Sequence, residues 1–186
     1  MLVFITLAPA FVSASSPPPV KFIVPPTITT SITPYVLSAA DLNGDGNMDL
    51  ILATWEGVAV LLGKGDGTFP NRHAYVLHQG ARAIAVADMN NDHIPDLVVL
   101  TGSSIQIFLG NGDGTLQLAT RNRFVAHTVS IASADFNGDG KADLAITATG
   151  TDAPNGIGVF FGNETGLFNR PIPMQTSSRA NSALQT

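Results

Sequence analysis

The 186-residue chain has no cysteine, which excludes a disulfide framework and any thiol chemistry. Charge is also scarce: Asp, Glu, Lys and Arg make up 12% of residues, against 45% for hydrophobic ones. With nine Lys and Arg in all, there is no basic nucleic-acid footprint. The one long apolar stretch, residues 1–14, falls short of the roughly 20 residues a membrane-spanning helix needs. There is no HExxH pair and no GxSxG elbow. His73, His78, His93 and His127 stand at no spacing that recurs with a carboxylate outside the acidic loops described next. A catalytic role is therefore not expected. What the chain does hold is 18 Gly and 12 Pro, a composition of strands and turns rather than of helices or disorder.

Three acidic segments organise the sequence. Asp41-Leu42-Asn43-Gly44-Asp45-Gly46-Asn47-Met48-Asp49 recurs as residues 88–96 and again as 135–143, with the first aspartates 47 residues apart both times. A fixed period of this size marks a repeat architecture. Oxygen-bearing side chains fill relative positions 1, 3, 5 and 9: Asp41, Asn43, Asp45 and Asp49; Asp88, Asn90, Asp92 and Asp96; Asp135, Asn137, Asp139 and Asp143. With the position-7 residues Asn47, Ile94 and Lys141 they form the candidate metal ligands, because calcium takes six to eight oxygens and a tight loop lets alternate residues converge. Up to three calcium ions are expected. An EF-hand is excluded, since position 12 is Leu52, Val99 or Ile146 instead of Glu and each loop leads into a short aliphatic run, read as a buried strand. The net charge is −5, and nine of the 14 acidic residues lie in the loops. The remainder carries nine basic against five acidic residues, a net of +4.

A second mark follows each loop: Leu62-Gly63-Lys64-Gly65-Asp66-Gly67-Thr68, then Leu109-Gly110-Asn111-Gly112-Asp113-Gly114-Thr115, then a drifted Phe161-Gly162-Asn163-Glu164-Thr165-Gly166. Clustered Gly and Asp between apolar runs predict a hairpin turn, which accounts for Asp66 and Asp113 without a metal. The middle unit then reads as four strands, near 84–87, 96–100, 105–109 and 123–126. The acidic loop joins the first pair, Thr101-Gly102-Ser103 the second, and the Gly-Asp-Gly turn the last. Four antiparallel strands per repeat make a propeller blade. The expected fold class is all-β, about three four-stranded blades of an incomplete propeller.

The acidic loops, the Leu-Gly-x-Gly-Asp-Gly-Thr turns and their spacing resemble FG-GAP/VCBS repeats. Those build the calcium-binding β-propeller of the integrin α-subunit head and of many bacterial secreted proteins. The resemblance covers about residues 22–186 and departs in two places. The Gly-Ala-Pro half of the name is not visible, and His93 stands where the other loops have Gly46 and Gly140. Histidine adopts a left-handed backbone less readily than glycine, so the second loop is expected to hold its ion most weakly. The resemblance implies structural calcium in a protein or carbohydrate recognition module involved in adhesion. Competing readings are an architectural segment of a larger surface protein, or part of a propeller lyase or hydrolase whose catalytic residues lie elsewhere.

In a propeller, the second-to-third turns and the links between blades share one edge, opposite the ion loops. That edge receives Trp55, the link 78–82 with Arg82, and His127-Thr128. It also receives an insertion at 149–156 with Asp152 and Asn155, which stretches the third turn-to-turn step to 52 residues. Trp55, the only tryptophan, either anchors a ligand here or packs over its own hairpin. Asn163-Glu164-Thr165 is a glycosylation sequon by pattern, meaningful in a eukaryotic secretory host.

Residues 1–14 suit the core of a secretion signal, with small residues Val12-Ser13-Ala14 at a cleavage point, although no basic residue precedes Lys21. The alternatives are a truncated start or a strand left from an upstream module. Residues 15–21 form a Ser/Pro-rich link, and the repeats fill 22–186, beginning near Phe22. The expected location is secreted or cell-surface. Three units cannot close a ring of about four to eight blades. Either further blades, with an ion loop opening at 187, or self-association is expected to complete it.

Overall fold

The computed structural model describes residues 33–102, 104–123, 127–149, 156–163 and 172–174. They form three antiparallel sheets of four strands each, with no helix among the described residues. The first sheet holds β1 (Val36–Ala40), β2 (Asp49–Ala53), β3 (Gly57–Leu62) and β4 (Asn71–Val76). The second holds β5 (Ala83–Ala87), β6 (Asp96–Leu100), β7 (Ser104–Gly110) and β8 (Leu116–Arg123). The third holds β9 (His127–Ala134), β10 (Asp143–Thr149), β11 (Gly156–Phe160) and β12 (Ile172–Met174). Each sheet is a meander whose strands lie side by side in chain order. The described residues are all-β, and their sheets are blades of an incomplete propeller.

One strand departs from the sequence reading. The fourth strand of the middle unit starts at Leu116, not at 123. The Asn111 amide donates to the Thr115 carbonyl (3.0 Å) and closes the turn at once, so Leu116 already pairs with Gly110. Residues 124–126 lie outside the described residues, as do the proposed start near Phe22, the signal segment, the link and most of the insertion.

The blades stack through their middle strands. β2, β3 and β6 are buried almost throughout, because both faces of these strands are covered, which explains their unbroken apolar runs. Alternate residues of β6 face opposite ways. Leu97 and Val99 join Ile51, Val58 and Val60 of the first sheet in one cluster. Val98 and Leu100 join Leu144, Ile146 and Phe160 of the third in another. The second residue of each acidic loop takes part. Leu42 is buried in the first cluster and Met89 in the second, each contributing about 1.5–3 kcal/mol. Phe136, at the same place in the third loop, is 49% exposed, and no fourth sheet follows among the described residues.

Candidate metal loops and the opposite edge

Register fixes where each acidic loop begins and ends. Ala40 pairs with Asp49, Ala87 with Asp96 and Ala134 with Asp143, so position 9 is the first residue of a middle strand and position 1 follows the innermost strand directly. Between them the backbone turns through left-handed residues: Gly44 and Gly46, Asn91 and His93, Gly138 and Gly140.

The three loops share one hydrogen-bond frame. The position-1 carboxylate accepts from amides inside the loop. Asp41 takes those of Gly44 and Gly46, Asp88 those of Asp92 and His93, and Asp135 those of Gly138, Asp139 and Gly140. At position 3, Asn43, Asn90 and Asn137 accept from the position-5 amide and donate their own amide group to the position-5 carboxylate. Asp45, Asp92 and Asp139 in turn accept from the amide of position 7.

Position 9 does something different. Asp49, Asp96 and Asp143 are fully buried. One oxygen of each accepts from the amide of position 2: Leu42 (2.9 Å), Met89 (2.8 Å) and Phe136 (2.9 Å). The other accepts from the first glycine of the following turn: Gly63 (2.8 Å), Gly110 (2.9 Å) and Gly162 (2.8 Å). This carboxylate pins loop and turn to one strand. The glycines are required by close approach, since a Cβ on Gly63 would lie 2.3 Å from the Met48 carbonyl oxygen and one on Gly110 2.4 Å from that of Pro95. The sequence reading missed this role because a carboxylate in an ion loop is read first as a ligand. Asp66 and Asp113 cap their own turns, accepting from both the amide and the hydroxyl of Thr68 and Thr115.

Burial raises the Asp96 carboxyl, aided by the charges of Asp92 and Asp88, while the amides of Gly110 and Met89 pull it down. Asp45 and Asp135 are held below the ordinary value, chiefly by the amides of Asn47 and Gly140. Carboxyl NMR titration without metal should therefore find Asp96 losing its proton above the ordinary aspartate range, and Asp45 and Asp135 below it. The reverse order would contradict the frame.

Would these loops suit calcium? The donors are all oxygen, as a hard cation requires. Positions 1, 3 and 5 are side-chain oxygens on one loop, and an ionised carboxylate offers about four acceptor sites, more than the amides use. Position 7 can offer only its main-chain carbonyl in two loops, since Ile94 and Lys141 carry no side-chain oxygen. The Ile94 side chain instead lies against Gly110 and Gly112. Among the described residues no three His, Asp or Glu side chains converge as a group that could hold a metal ion. The donor chemistry fits calcium. The second loop departs twice: Asn91 and His93 are both left-handed (φ 65° and 66°), and the His93 Nδ1 lies 3.6 Å from the Asp88 carboxylate. The sequence reading singled out His93 and overlooked Asn91, a residue that tolerates this backbone.

At the opposite edge, the turn Thr54–Gly57 and the link 77–82 are tied together. Leu77 donates to Glu56, Ala81 to Thr54, and Arg82 to Leu100, all through the backbone. Trp55 is 77% exposed, its ring tilted against Tyr35 at 5.8 Å. The Tyr35 hydroxyl donates to the carbonyls of Thr54 and Ala81. Burial raises the Tyr35 pKa and the nearby Arg82 charge lowers it. Arg82 is exposed, and its guanidinium lies over Gly102 beside the Gln79 side chain. Thr128 is buried and donates to the Thr101 carbonyl, so it belongs to the joint between blades and not to an open surface. Asp152 and Asn155 lie outside the described residues.

Set against known proteins, the FG-GAP-like repeat model matches twice, over residues 41–99 and 88–146. Among solved structures, one described for specific recognition of non-reducing terminal N-acetylglucosamine by an Agrocybe aegerita lectin aligns with TM-score 0.53 and 22% identity, over 74% of this chain and 37% of that one. BBS1N in complex with ARL6DN aligns with TM-score 0.51 and 18% identity, over 77% and 44% respectively. Likenesses at this identity are of fold, and the chain spans less than half the length of either structure. No curated protein matches significantly.

Proposed function

The chain belongs to the FG-GAP-like repeat family, and from that premise we propose a calcium-binding propeller segment of an exported protein, with structural ions in its acidic loops and a surface for protein or carbohydrate recognition and adhesion on the opposite edge. The observation that carries this reading is the threefold recurrence of one frame, in which positions 1, 3 and 5 hold the same Asp-Asn-Asp set with the same internal bonds. The two carboxylates at positions 1 and 5, held on one short loop, repel one another, a poor arrangement unless a cation offsets it. A bound calcium ion supplies that offset. The side chains of positions 1, 3 and 5 and the carbonyl of position 7 would hold it. The position-9 carboxylate keeps the loop seated on its strand and shields it from the core.

Sites of this kind in extracellular modules bind at about 0.1–1 mM, a range that suits an exported protein. At roughly tenfold excess over Kd, calcium adds about 1.4 kcal/mol per site. Thermal melts with calcium and with chelator should differ by several degrees, and coincident curves would overturn the proposal. Asp45→Ala or Asp139→Ala should remove more of that difference than Asp92→Ala. His93→Gly, which relieves the left-handed side chain and frees Asp88, should enlarge it.

A further inference from the structure

The 47-residue period makes the two sides of the recognition edge comparable. Tyr35 and Arg82 are equivalent residues: each donates its amide to the last residue of the adjacent middle strand, Ala53 or Leu100. Trp55 and Gly102 are equivalent too. Thr54 and Thr101 build the same turn around them, each hydroxyl accepting an amide three residues on, from Gly57 or Ser104. The turn therefore forms equally well with glycine, and the Trp55 indole is not there to build it. In the first blade the indole covers Tyr35. In the second, Gly102 puts no side chain over Arg82: the Arg82 guanidinium lies 3.6–3.8 Å from the place a Cβ would take, with the Gln79 side-chain oxygen at 3.8 Å, and Ala81, next to Arg82, is bonded to Thr54, next to Trp55. Arg82 faces no carboxylate within 4.0 Å among the described residues.

We propose that this notch binds a glycan bearing a single carboxylate, such as a uronic acid, with the sugar ring stacked on Trp55 and the carboxylate paired to Arg82. An exposed indole held rigid by a second aromatic presents a flat apolar face, which suits the C–H face of a pyranose. An exposed guanidinium such as that of Arg82 takes a carboxylate through two parallel N–H bonds. Glu56, the next residue on the turn and also exposed, weighs against polyanions. The proposal deepens the recognition reading and rests on it, while the calcium melts test the loops separately.

Because Trp55 is the only tryptophan, its emission reports binding directly. The full chain with calcium would be titrated with methyl β-D-glucuronide, methyl β-D-glucoside and an Asp/Glu hexapeptide. The glucuronide should shift or quench the emission saturably, and the other two should do so at least about tenfold more weakly. Arg82→Ala should weaken the glucuronide at least about tenfold and leave the melting curve in place, with Arg82→Lys intermediate. Gly102→Trp, which fills the notch, should abolish the response. Equal binding of the glucoside, indifference to Arg82→Ala, or preference for the peptide would overturn the acidic-sugar assignment while leaving a recognition surface. No response to any probe would overturn the site.

Discussion

With metal chelated, Asp49→Ala should lower the stability of the chain by about 3–5 kcal/mol in a denaturant melt. The side chain is wholly buried, and its two oxygens hold the amides of Leu42 and Gly63. Alanine leaves both donors buried without a partner, at about 1–3 kcal/mol each. The loss should also loosen Leu42, which reaches the interface with the second blade from that same loop. Asp45→Ala under the same conditions removes an exposed carboxylate and should cost far less. If the two variants melted alike in chelator and differed only with calcium, position 9 would be a ligand and no more.

Gly57→Ala should be comparably damaging, for a steric reason. Gly57 has φ +146°, and a Cβ on it would lie 2.0 Å from the Tyr75 carbonyl oxygen and 2.9 Å from the Leu77 nitrogen. Both are backbone atoms of the paired outer strand and its exit, so neither can swing aside. Overpacking of this kind costs about 1–3 kcal/mol, and the disfavoured backbone adds about 1–2 kcal/mol more. Two glycines serve as internal scale. Gly46→Ala, with φ +84° and open space around it, should show the backbone part alone. Gly102→Ala, with neither constraint, should be close to neutral. A melt series that did not rank Gly57, Gly46 and Gly102 in this order would refute the argument.

Much of the fold could be read from residues because repetition multiplied a weak signal. The run Leu97-Val98-Val99-Leu100 alone does not distinguish a strand from a helical turn. Three such runs, each after an acidic loop and before a glycine-containing turn, do. The error at the fourth strand had a local cause: Leu116–Arg123 is polar and mixed, largely exposed beyond Leu116, and offers no apolar run to mark its start. The loops were legible as loops and as an oxygen-donor set. The double duty of Asp49, Asp96 and Asp143 was not, because their partners Gly63, Gly110 and Gly162 lie 14 or 19 residues away and are joined only once the hairpin folds. Trp55 was legible as unusual. That Tyr35 packs against it, and that Gly102 stands at its place in the next blade, emerged from comparing blades in space.

The aspartate pins also bear on how the chain exchanges its protons with solvent. The amides of Leu42, Met89, Phe136, Gly63 and Gly162 belong to connections between strands, and that of Gly110 to the last residue of one, where rapid exchange is the ordinary expectation. Each donates instead to a carboxylate that is 0% exposed, so its release requires a strand to detach and not merely a loop to flex. In deuterated buffer these six positions should keep their protons as long as the middle strands do, while the amides of Asp45 and Asp139, a few residues away in the same loops, give theirs up early. The edge of the sheet that looks softest in sequence is thus tied to the slowest motion of the molecule.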